Sequence, residues 1–453
     1  MKKVREGWVL MSSRIFYAGS LLLLSPTVLH AATYTAASCA KTDVMSTINA
    51  ASDDDTVSIP SGSCTWDGPV SFSKGITIQG AGEGITNIAG AKIGVSVPNG
   101  KTWRITGMTI SDNGGSGIDV GGDSKAWRID HITFDHSTGW AANRIIWIQA
   151  TLGGWAGYLK GVIDHCTFIE PEGLMIHIRG NRTSGGNNEW ERASPLGSDD
   201  SIYIENCTLT RSTWNASIPV TDCEGGAFVF RYNMVNNSYI EMHHGNVDFR
   251  GCRKWEIYEN TFNKTDPETF WGLHLRSGIG VVYNNTFAGD YSEDGAFRID
   301  YYRARTPGYP PMDQLCSNAS PKMCVLRTYA TACTSDSGCG GAVNSCQTID
   351  NNASSDGYPC REQPGWDGNV TRHPVPVLAW NNRLNGSFIG PIIETSSQKY
   401  VVNGRDYCSN ASDTMPSSCS GLIITYKPFA YPHPLSTGKS TKKPMPPTNI
   451  RVE

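Results

Sequence analysis

The sequence predicts an all-β protein built as a parallel β-helix, a solenoid in which each turn of the chain adds a rung of short strands. Three observations lead to this fold class. A six-residue phrase recurs along the chain, the intervening runs are rich in β-branched and aromatic residues, and 48 glycines in 453 residues interrupt those runs. Only residues 44–51 have the apolar period of a helix, and there we predict an N-terminal capping helix.

The recurring phrase is a β-rich run, then His or Asn, a small residue and an apolar residue. It reads Ile-Asp-His-Ile-Thr-Phe at 129–134 and Val-Tyr-Asn-Asn-Thr-Phe at 282–287. Its shortest steps, 25 and 27 residues, indicate stacked units rather than one closed core. An antiparallel sandwich, the alternative, would not repeat one turn residue in every unit. The repeated residues are His131, His165, Asn206, Asn233, Asn260, Asn285 and, as a late echo, Asn382.

Two further segments carry a family resemblance. Val-Ser-Ile-Pro-Ser-Gly at 57–62, followed by Lys-Gly-Ile-Thr-Ile-Gln-Gly-Ala-Gly at 74–82, resembles the opening coil of the pectate-lyase-like right-handed β-helix proteins. With the Asn-Thr-Phe rungs, the resemblance covers residues 34–300 and a final rung at 376–402. It implies a right-handed solenoid. That superfamily includes lyases, hydrolases, esterases, tailspikes and non-catalytic adhesins, so fold alone selects no activity.

The N-terminus predicts export. Four basic residues precede an apolar stretch at 15–29, and Ala31 and Ala32 follow it, as a secretory signal peptide requires. No later apolar run approaches the ~20 residues that span a bilayer. A net charge of −4 and 18% charged residues argue against a nucleic-acid binder. We therefore expect a secreted monomer (extracellular, periplasmic or on the cell surface) with no membrane span.

Cysteine usage agrees with export. All 14 cysteines follow the signal segment, an even number that predicts a disulfide framework, and the absence of any Cys-x-x-Cys pair disfavours zinc. Spacing by one period, or an equivalent place in the phrase, predicts four pairs: Cys39 with Cys64, Cys166 with Cys207, Cys223 with Cys252, and Cys408 with Cys419. Spacing does not give the pairing of the other six: Cys316, Cys324, Cys333, Cys339, Cys346 and Cys360.

These patterns divide the chain into five segments. We predict a signal peptide at 1–31, the β-helix at 32–300, a Cys-rich insertion at 301–375, a final coil with a C-terminal cap at 376–426, and a Pro-rich tail at 427–453. The tail is expected to leave the solenoid as extended polypeptide.

The strands before each phrase predict a functional column. Every second residue of a β-helix strand faces outward. Aligning the runs at 118–120, 146–149, 176–179, 240–243, 273–276 and 297–300 puts apolar residues inside. An ordinary solvated face, the alternative, would hold mostly Thr, Ser and Lys, whereas three histidines beside arginines indicate a strip for an anionic polysaccharide. The outward residues are Asp119, Trp147, Gln149, His177, Arg179, Glu241, His243, His274, Arg276, Arg298 and Asp300.

β-Elimination on a uronate polysaccharide is the leading reaction that this column predicts. Elimination needs a base for the proton beside the sugar carboxylate, and cations that neutralise that carboxylate. We assign His243 or His274 as the base, Arg276 as the catalytic cation, and Asp300 as a ligand for an optional Ca²⁺ ion. The predicted substrate-binding residues are Trp147, His177, Arg179, Glu241 and Arg298.

Two other functions stay open. Hydrolysis needs two facing carboxylates, and Glu241, Asp300 and the pair Asp199-Asp200 are the candidates. A non-catalytic adhesin or glycan-binding solenoid would use the same column as its binding strip. No catalytic residue transfers from the resemblance, because the chain lacks the Asp-plus-Arg calcium motif of pectate lyases and the Asn-Thr-Asp and Gly-His-Gly motifs of polygalacturonases.

Overall fold

The described part of the chain is a parallel β-solenoid, which confirms the predicted fold class. The computed structural model describes residues 31–111, 117–138, 144–149, 159–171, 174–179, 194–213, 218–221, 225–242, 251–268, 271–300, 322–324, 333–339, 341, 346–348, 363–367, 373–398 and 400–437. The predicted signal peptide lies outside these ranges. Within them no helix has both the length and the apolar character needed to cross a membrane.

Helices are few and short in these ranges. They are α1 (Lys41–Ala50), α2 (Glu293–Ala296) and the 3₁₀ helices Asp336–Cys339, Thr395–Ser397 and Pro434–Ser436. The strands are β1 (Thr33–Thr35), β2 (Thr56–Ile59), β3 (Gly62–Thr65), β4 (Pro69–Phe72), β5 (Thr77–Gly80), β6 (Thr86–Ala89), β7 (Lys92–Val97), β8 (Trp103–Ser111), β9 (Gly117–Gly122), β10 (Trp127–Asp135), β11 (Arg144–Gln149), β12 (Gly161–Asp164), β13 (Thr167–Ile169), β14 (Leu174–Arg179), β15 (Ile202–Glu205), β16 (Thr208–Thr210), β17 (Ile218–Thr221), β18 (Ala227–Arg231), β19 (Met234–Asn236), β20 (Ile240–Glu241), β21 (Lys254–Tyr258), β22 (Thr261–Asn263), β23 (Leu273–Arg276), β24 (Ile279–Tyr283), β25 (Thr286–Ala288), β26 (Phe297–Asp300), β27 (Lys322–Cys324), β28 (Cys346–Thr348), β29 (Trp366–Asp367), β30 (His373–Pro374), β31 (Val377–Trp380), β32 (Asn382–Leu384), β33 (Ser387–Ile389), β34 (Ile392–Ile393), β35 (Tyr407–Asn410), β36 (Ser418–Cys419) and β37 (Leu422–Ile423).

Two sheets form the solenoid wall. The long sheet has 21 strands in the described ranges and is bent into two limbs. Successive strands belong alternately to the two limbs, as β12 and β13 do. The second, which we call the ten-stranded sheet, stacks β4, β7, β9, β11, β14, β17, β20, β23, β26 and β34 in parallel. Each coil therefore crosses both limbs of the long sheet and then one strand of the ten-stranded sheet.

The interior is filled by columns of like residues. Ile129, Ile163 and Ile204 lie directly opposite one another on successive coils and are fully buried. Phe134 stacks on Phe168 with ring centroids 5.0 Å apart. Such large apolar side chains each contribute roughly 1.5–3 kcal/mol by leaving water. The stack of coils, rather than any single coil, thus forms the core.

The repeated phrase marks the corner between the two limbs. Seven consecutive corner residues have a left-handed backbone, with φ between 47° and 57°: His131, His165, Asn206, Tyr232, Glu259, Asn284 and Asn381. The residue after each of them points inward. The sequence alignment therefore slipped by one residue between Asn206 and Asn233, because an Asn occurs at the corner in some coils and at the inward position in others.

An asparagine ladder occupies the inward position in the later coils. Asn233, Asn260, Asn285 and Asn382 are buried, and each of the first three donates from Nδ2 to the Oδ1 of the next at 2.9–3.1 Å. Each Nδ2 also donates to a carbonyl of the preceding coil, as Asn233 does to Ile204 at 2.9 Å. The ladder satisfies polar backbone groups that the turn would otherwise bury unpaired.

Cys166 and Cys207 hold the same inward position in two earlier coils, and the predicted disulfide between them is wrong. Both are free thiols. Cys166 Sγ lies 3.7 Å from the Ile129 carbonyl oxygen and Cys207 Sγ lies 3.8 Å from that of Ile163, so each thiol takes the place of an asparagine amide and points along the stack. Burial and a hydrogen bond with Cys207 raise the pKa of Cys166 well above its usual value, which keeps it protonated.

Two other predicted disulfides are confirmed. Cys39 bonds Cys64 and Cys408 bonds Cys419, each with a Cα–Cα distance of 5.8 Å. Cys252 is disulfide-bonded, but Cys223 lies outside the described residues, so their pairing stays a prediction. In the insertion Cys333 bonds Cys346, a pair that spacing alone did not give.

The predicted capping helix is α1. Val44 and Ile48 form its buried side against the first coils. The Lys74 ammonium donates to the carbonyl oxygens of Ile48, Asn49 and Ala51 at 2.5–2.9 Å, where the helix ends with its carbonyls unpaired. Lys74 is therefore committed to the cap.

The described part of the Pro-rich tail does not leave the solenoid. Residues 424–437, which we call the C-terminal strap, lie against the outer face of the long sheet. Buried Arg231 pairs with Glu205 at 2.6 Å and donates to the carbonyl oxygens of Phe429 and Ala430. His433 donates its backbone N–H to Glu205 at 2.8 Å. The expectation was wrong because the proline content indicates an extended chain but does not indicate what that chain packs on.

Candidate functional site

The outer face of the ten-stranded sheet carries the predicted column. Asp119 lies opposite Trp147, and Trp147 opposite His177. In the later coils Glu241 lies opposite His274, and His274 opposite Arg298. Further register pairs join Gln149 to Arg179 and Arg276 to Asp300. His243 lies outside the described residues, so its assignment stays a prediction.

The sequence alignment missed one coil of this sheet. Strand β17, with the sequence Ile-Pro-Val-Thr, lies between β14 and β20. His177 therefore faces Thr221 in register, and Glu241 belongs to the coil after that. The alternating Ile218 and Val220 carried the signal, but Pro219 made the run look unlike a strand.

An open groove covers the N-terminal coils of this face. It has a volume of about 510 Å³ and crosses β4, β7, β9 and β11. Ser71, Ser96, Gly94 and Gly121 form its floor, while Trp147, Asp119 and Gln149 line its C-terminal end. A Cβ atom at Gly94 would lie 2.7 Å from Ser71 Oγ, so the absence of a side chain there keeps the floor low. Short outward residues on β4 and β7, together with Gly121 on β9, thus create the groove.

Trp147 is held in place from the side away from Asp119. The Arg144 guanidinium carbon lies 4.2 Å from the Trp147 ring centroid, and Arg144 Nε donates to His177 Nδ1 at 2.8 Å. His177 belongs to the next coil, and its ring is nearly parallel to the indole at 6.4 Å. This arrangement fixes the indole while it still lines the groove.

Asp119 is the charged residue among those that line the groove. Its carboxylate lies 3.2 Å from Lys92 Nζ, and both side chains are well exposed, at 38% and 51%. A partly exposed carboxylate beside an indole and an amide can accept hydroxyl hydrogen bonds from a ligand.

The C-terminal coils of the same face hold a closed charge cluster instead. His274 Nε2 lies 2.5 Å from Asp300 Oδ2, and Arg276 Nη1 donates to Glu241 Oε1 at 3.0 Å. Arg298 Nε donates to the other oxygen of Asp300 at 2.9 Å. The side chains of Glu241, His274, Arg276 and Asp300 are only 4–8% exposed. The predicted catalytic His and Arg are therefore together, but each is already paired.

The positive groups of the cluster stabilise the ionised carboxylate of Asp300. Burial alone would raise the pKa of Asp300, but the hydrogen bond from His274 and the charges of His274 and Arg276 outweigh it and lower that pKa. Arg276 Nη2 lies 3.0 Å and 3.3 Å from the two ring nitrogens of His274, so the guanidinium lies against the imidazole. Both ring nitrogens also face carboxylates, since Nδ1 is 3.4 Å from Glu241.

The calcium assignment at Asp300 stays a prediction. A Ca²⁺ ion there would have to displace His274 and Arg298 and sit beside Arg276. Among the described residues, no group of three or more His, Cys, Asp or Glu side chains is arranged to hold a metal ion. The acidic pair Asp199 and Asp200 contacts Lys160 and precedes the long-sheet strand β15, so it does not join this face.

Comparisons with known proteins assign neither a family nor an activity. No protein-family model matches the sequence, and no curated protein sequence is similar to it. Among solved structures, the chain is similar to the alginate lyase AlyF-OU02 in complex with G6, with 11% sequence identity over 82% of this chain and 81% of that chain and a TM-score of 0.35. A likeness this low carries no argument about function, so the function must be argued from the residues of the face itself.

Proposed function

We propose that this protein binds an extracellular polysaccharide along the outer face of the ten-stranded sheet. The observation that supports this most is the groove, which crosses four coils and combines a fixed indole with a carboxylate, an amide and serine hydroxyls. Its volume of about 510 Å³ is in the usual range for ligand sites, ~300–1,000 Å³. Because coils repeat every ~4.8 Å, a polymer that lies along the solenoid axis meets similar outward positions in each coil.

Binding is tested by affinity electrophoresis of the purified protein through gels that contain soluble polysaccharides, both uncharged and uronate. We expect retardation by at least one polymer. Trp147→Ala should reduce the apparent affinity at least tenfold, because it removes the indole on which a sugar ring can stack. Phe388→Ala, which removes an exposed aromatic ring outside the groove, is the matched control and should bind like the wild type. Equal retardation of Trp147→Ala and the wild type would contradict the proposal.

β-Elimination at the charge cluster is a second candidate function, supported by the contacts among His274, Arg276 and Asp300. For this reaction His274 would take the proton next to a uronate carboxylate, the electron pair would form a carbon–carbon double bond, and the glycosidic oxygen would leave. His274 must first release a carboxylate, since both ring nitrogens face one. The reaction therefore requires the cluster to open.

Absorbance near 235 nm reports the unsaturated product of elimination. The assay uses uronate polysaccharides, first with Ca²⁺ and then with a chelator, and compares the wild type with His274→Gln. A rise that the variant lacks supports elimination, and loss of that rise with chelator supports the predicted calcium dependence. A flat trace from folded protein that still binds polymer leaves binding without chemistry as the function.

A further inference from the structure

The groove contains few groups that could recognise an acidic sugar. Apart from Asp119, the residues that line it are serines, glycines, valines, a phenylalanine, Trp147 and Gln149, none of which is charged. The formal charge of the lining is therefore negative. A uronate carboxylate placed beside Asp119 would be repelled, and the repulsion is stronger in a groove than in open water.

Several described basic side chains of the first coils have protein partners of their own. Lys74 donates to the C-terminal carbonyls of α1, and Lys101 pairs with Asp53 at 2.7 Å. Lys41 pairs with Asp67 at 2.5 Å. Arg144 lies over the Trp147 ring and donates to His177. Lys92 pairs with Asp119 and so offsets the charge of the groove's own carboxylate rather than that of a ligand.

The remaining groups suit sugar hydroxyls. An ionised carboxylate accepts two hydroxyl hydrogen bonds, which are charge-assisted and stronger than neutral ones. Gln149 adds an amide that both donates and accepts, and the indole of Trp147 offers an apolar surface to the C–H face of a sugar ring. Serine side chains and bare glycine backbone complete a floor with no net charge.

From these contacts we infer that the groove takes an uncharged, hydroxyl-rich segment of polysaccharide, and not the uronate segment that the sequence column predicts. This inference rests on the proposed function, because it names the substrate class for the same face. It concerns only the coils of β4, β7, β9 and β11. The charge cluster lies several coils away and is the separate site proposed for elimination.

The test is titration calorimetry with uncharged glucan, mannan and xylan oligosaccharides and with oligouronates, each at 50 mM and 500 mM NaCl. We expect an uncharged ligand to bind with a Kd that changes less than twofold between the two salt concentrations, because no ion pair is screened. Binding of oligouronates alone, weakened strongly by salt, would overturn the inference and leave the proposed function standing. Binding of no polymer would overturn both.

Substitution of Asp119 should change the affinity for uncharged and for acidic ligands in opposite directions. Asp119→Asn removes the charge-assisted hydrogen bonds and should weaken an uncharged ligand about tenfold, whereas it would tighten an acidic ligand by removing repulsion. Lys92→Gln should leave the uncharged ligand within twofold. Asp413→Asn, an exposed aspartate outside the groove, is the matched control and should bind like the wild type. Tighter binding of an oligouronate by Asp119→Asn, with no uncharged ligand bound, contradicts the inference.

Discussion

The two ends of the ten-stranded sheet carry different side chains at equivalent outward positions, and only one end is open to a ligand. At the N-terminal coils these positions hold Ser71, Gly94 and Asp119, and the face is an open groove. At the C-terminal coils they hold His274 and Arg298, and the face is closed by ion pairs. Backbone register is alike at both ends, so side-chain length and charge decide the difference.

This difference separates polysaccharide binding from elimination, the two roles that the sequence analysis predicted for one column. Long side chains of opposite charge on neighbouring coils reach each other across ~4.8 Å and exclude ligand from the positions they occupy. Short side chains cannot, and they leave space. Outward position in a β-solenoid therefore does not by itself indicate access, and the neighbours in register must be considered together.

The largest expected effect is on the stability of the closed end. Arg276→Ala removes the guanidinium that pairs with buried Glu241 at 3.0 Å and also faces Asp300, which should lower the free energy of unfolding by about 3–5 kcal/mol. Trp147→Ala at the open end should reduce binding more than stability. Arg383→Ala, which removes a partly exposed arginine over Phe388, is the control and should cost under about 1 kcal/mol. Denaturant unfolding of the three variants measures this, and a loss for Arg276→Ala no larger than the control's would show that the cluster is not a closed structural unit.

The buried ion pairs of Arg276 also bear on the sequence prediction that the column is a catalytic strip. For the described residues of the column, alternation predicted a shared face of the ten-stranded sheet, because the period of a strand fixes side-chain direction, whereas His243 lies outside these residues. Alternation could not predict that Arg276 and Arg298 would each meet a carboxylate, since that depends on distances between coils separated by insertions. It also missed β17, so it placed His177 and Glu241 one coil too close.

The C-terminal strap is a second closed region, and it predicts a pH effect of intermediate size. Burial, together with the charges of Arg231 and Arg128, lowers the pKa of His433 to about 3. Below the usual pKa of ~6.5 the unfolded chain binds a proton that the folded His433 does not, so stability falls as pH drops towards 3 by up to about 1.4 kcal/mol per pH unit.

His433→Asn tests this effect because Asn keeps an acceptor near the Leu435 N–H but does not titrate. Unfolding free energies at pH 7, 6, 5 and 4 should fall less steeply for the variant than for the wild type, with the curves diverging by about 3 kcal/mol at pH 4. Parallel curves for the two proteins would contradict a buried, neutral His433.

The smallest expected effect concerns the inward position beside the corner of the long sheet, which the asparagine ladder occupies in the later coils. Cys207→Asn should place an amide between the Ile163 carbonyl and Asn233 Oδ1, where the thiol is now, and add about 0.5–1.5 kcal/mol of stability. Cys207→Ala, which removes the donor, is the matched control and should be less stable than the wild type. A Cys207→Asn variant no more stable than Cys207→Ala would show that the position does not accept the ladder.

The ladder also shows where sequence reasoning ends. The repeat predicted the solenoid, the corner and two disulfides, because stacked coils bring equivalent residues to one rung. It did not distinguish the left-handed corner residue from the inward one, since Asn is favoured at both. Cys166 and Cys207 occupy equivalent positions on neighbouring rungs as predicted, yet their thiols point along the stack to carbonyl oxygens, an orientation that position alone does not give.

Hydrogen exchange with bound ligand shows whether polysaccharide binds at the open end of the face. The protein is labelled with and without saturating polymer, and amide protection is compared between the strands of the two ends. We predict ligand-dependent protection in β7, β9 and β11 and none in β23 and β26. Protection confined to β23 and β26 would contradict the account and return the binding site to the charge cluster.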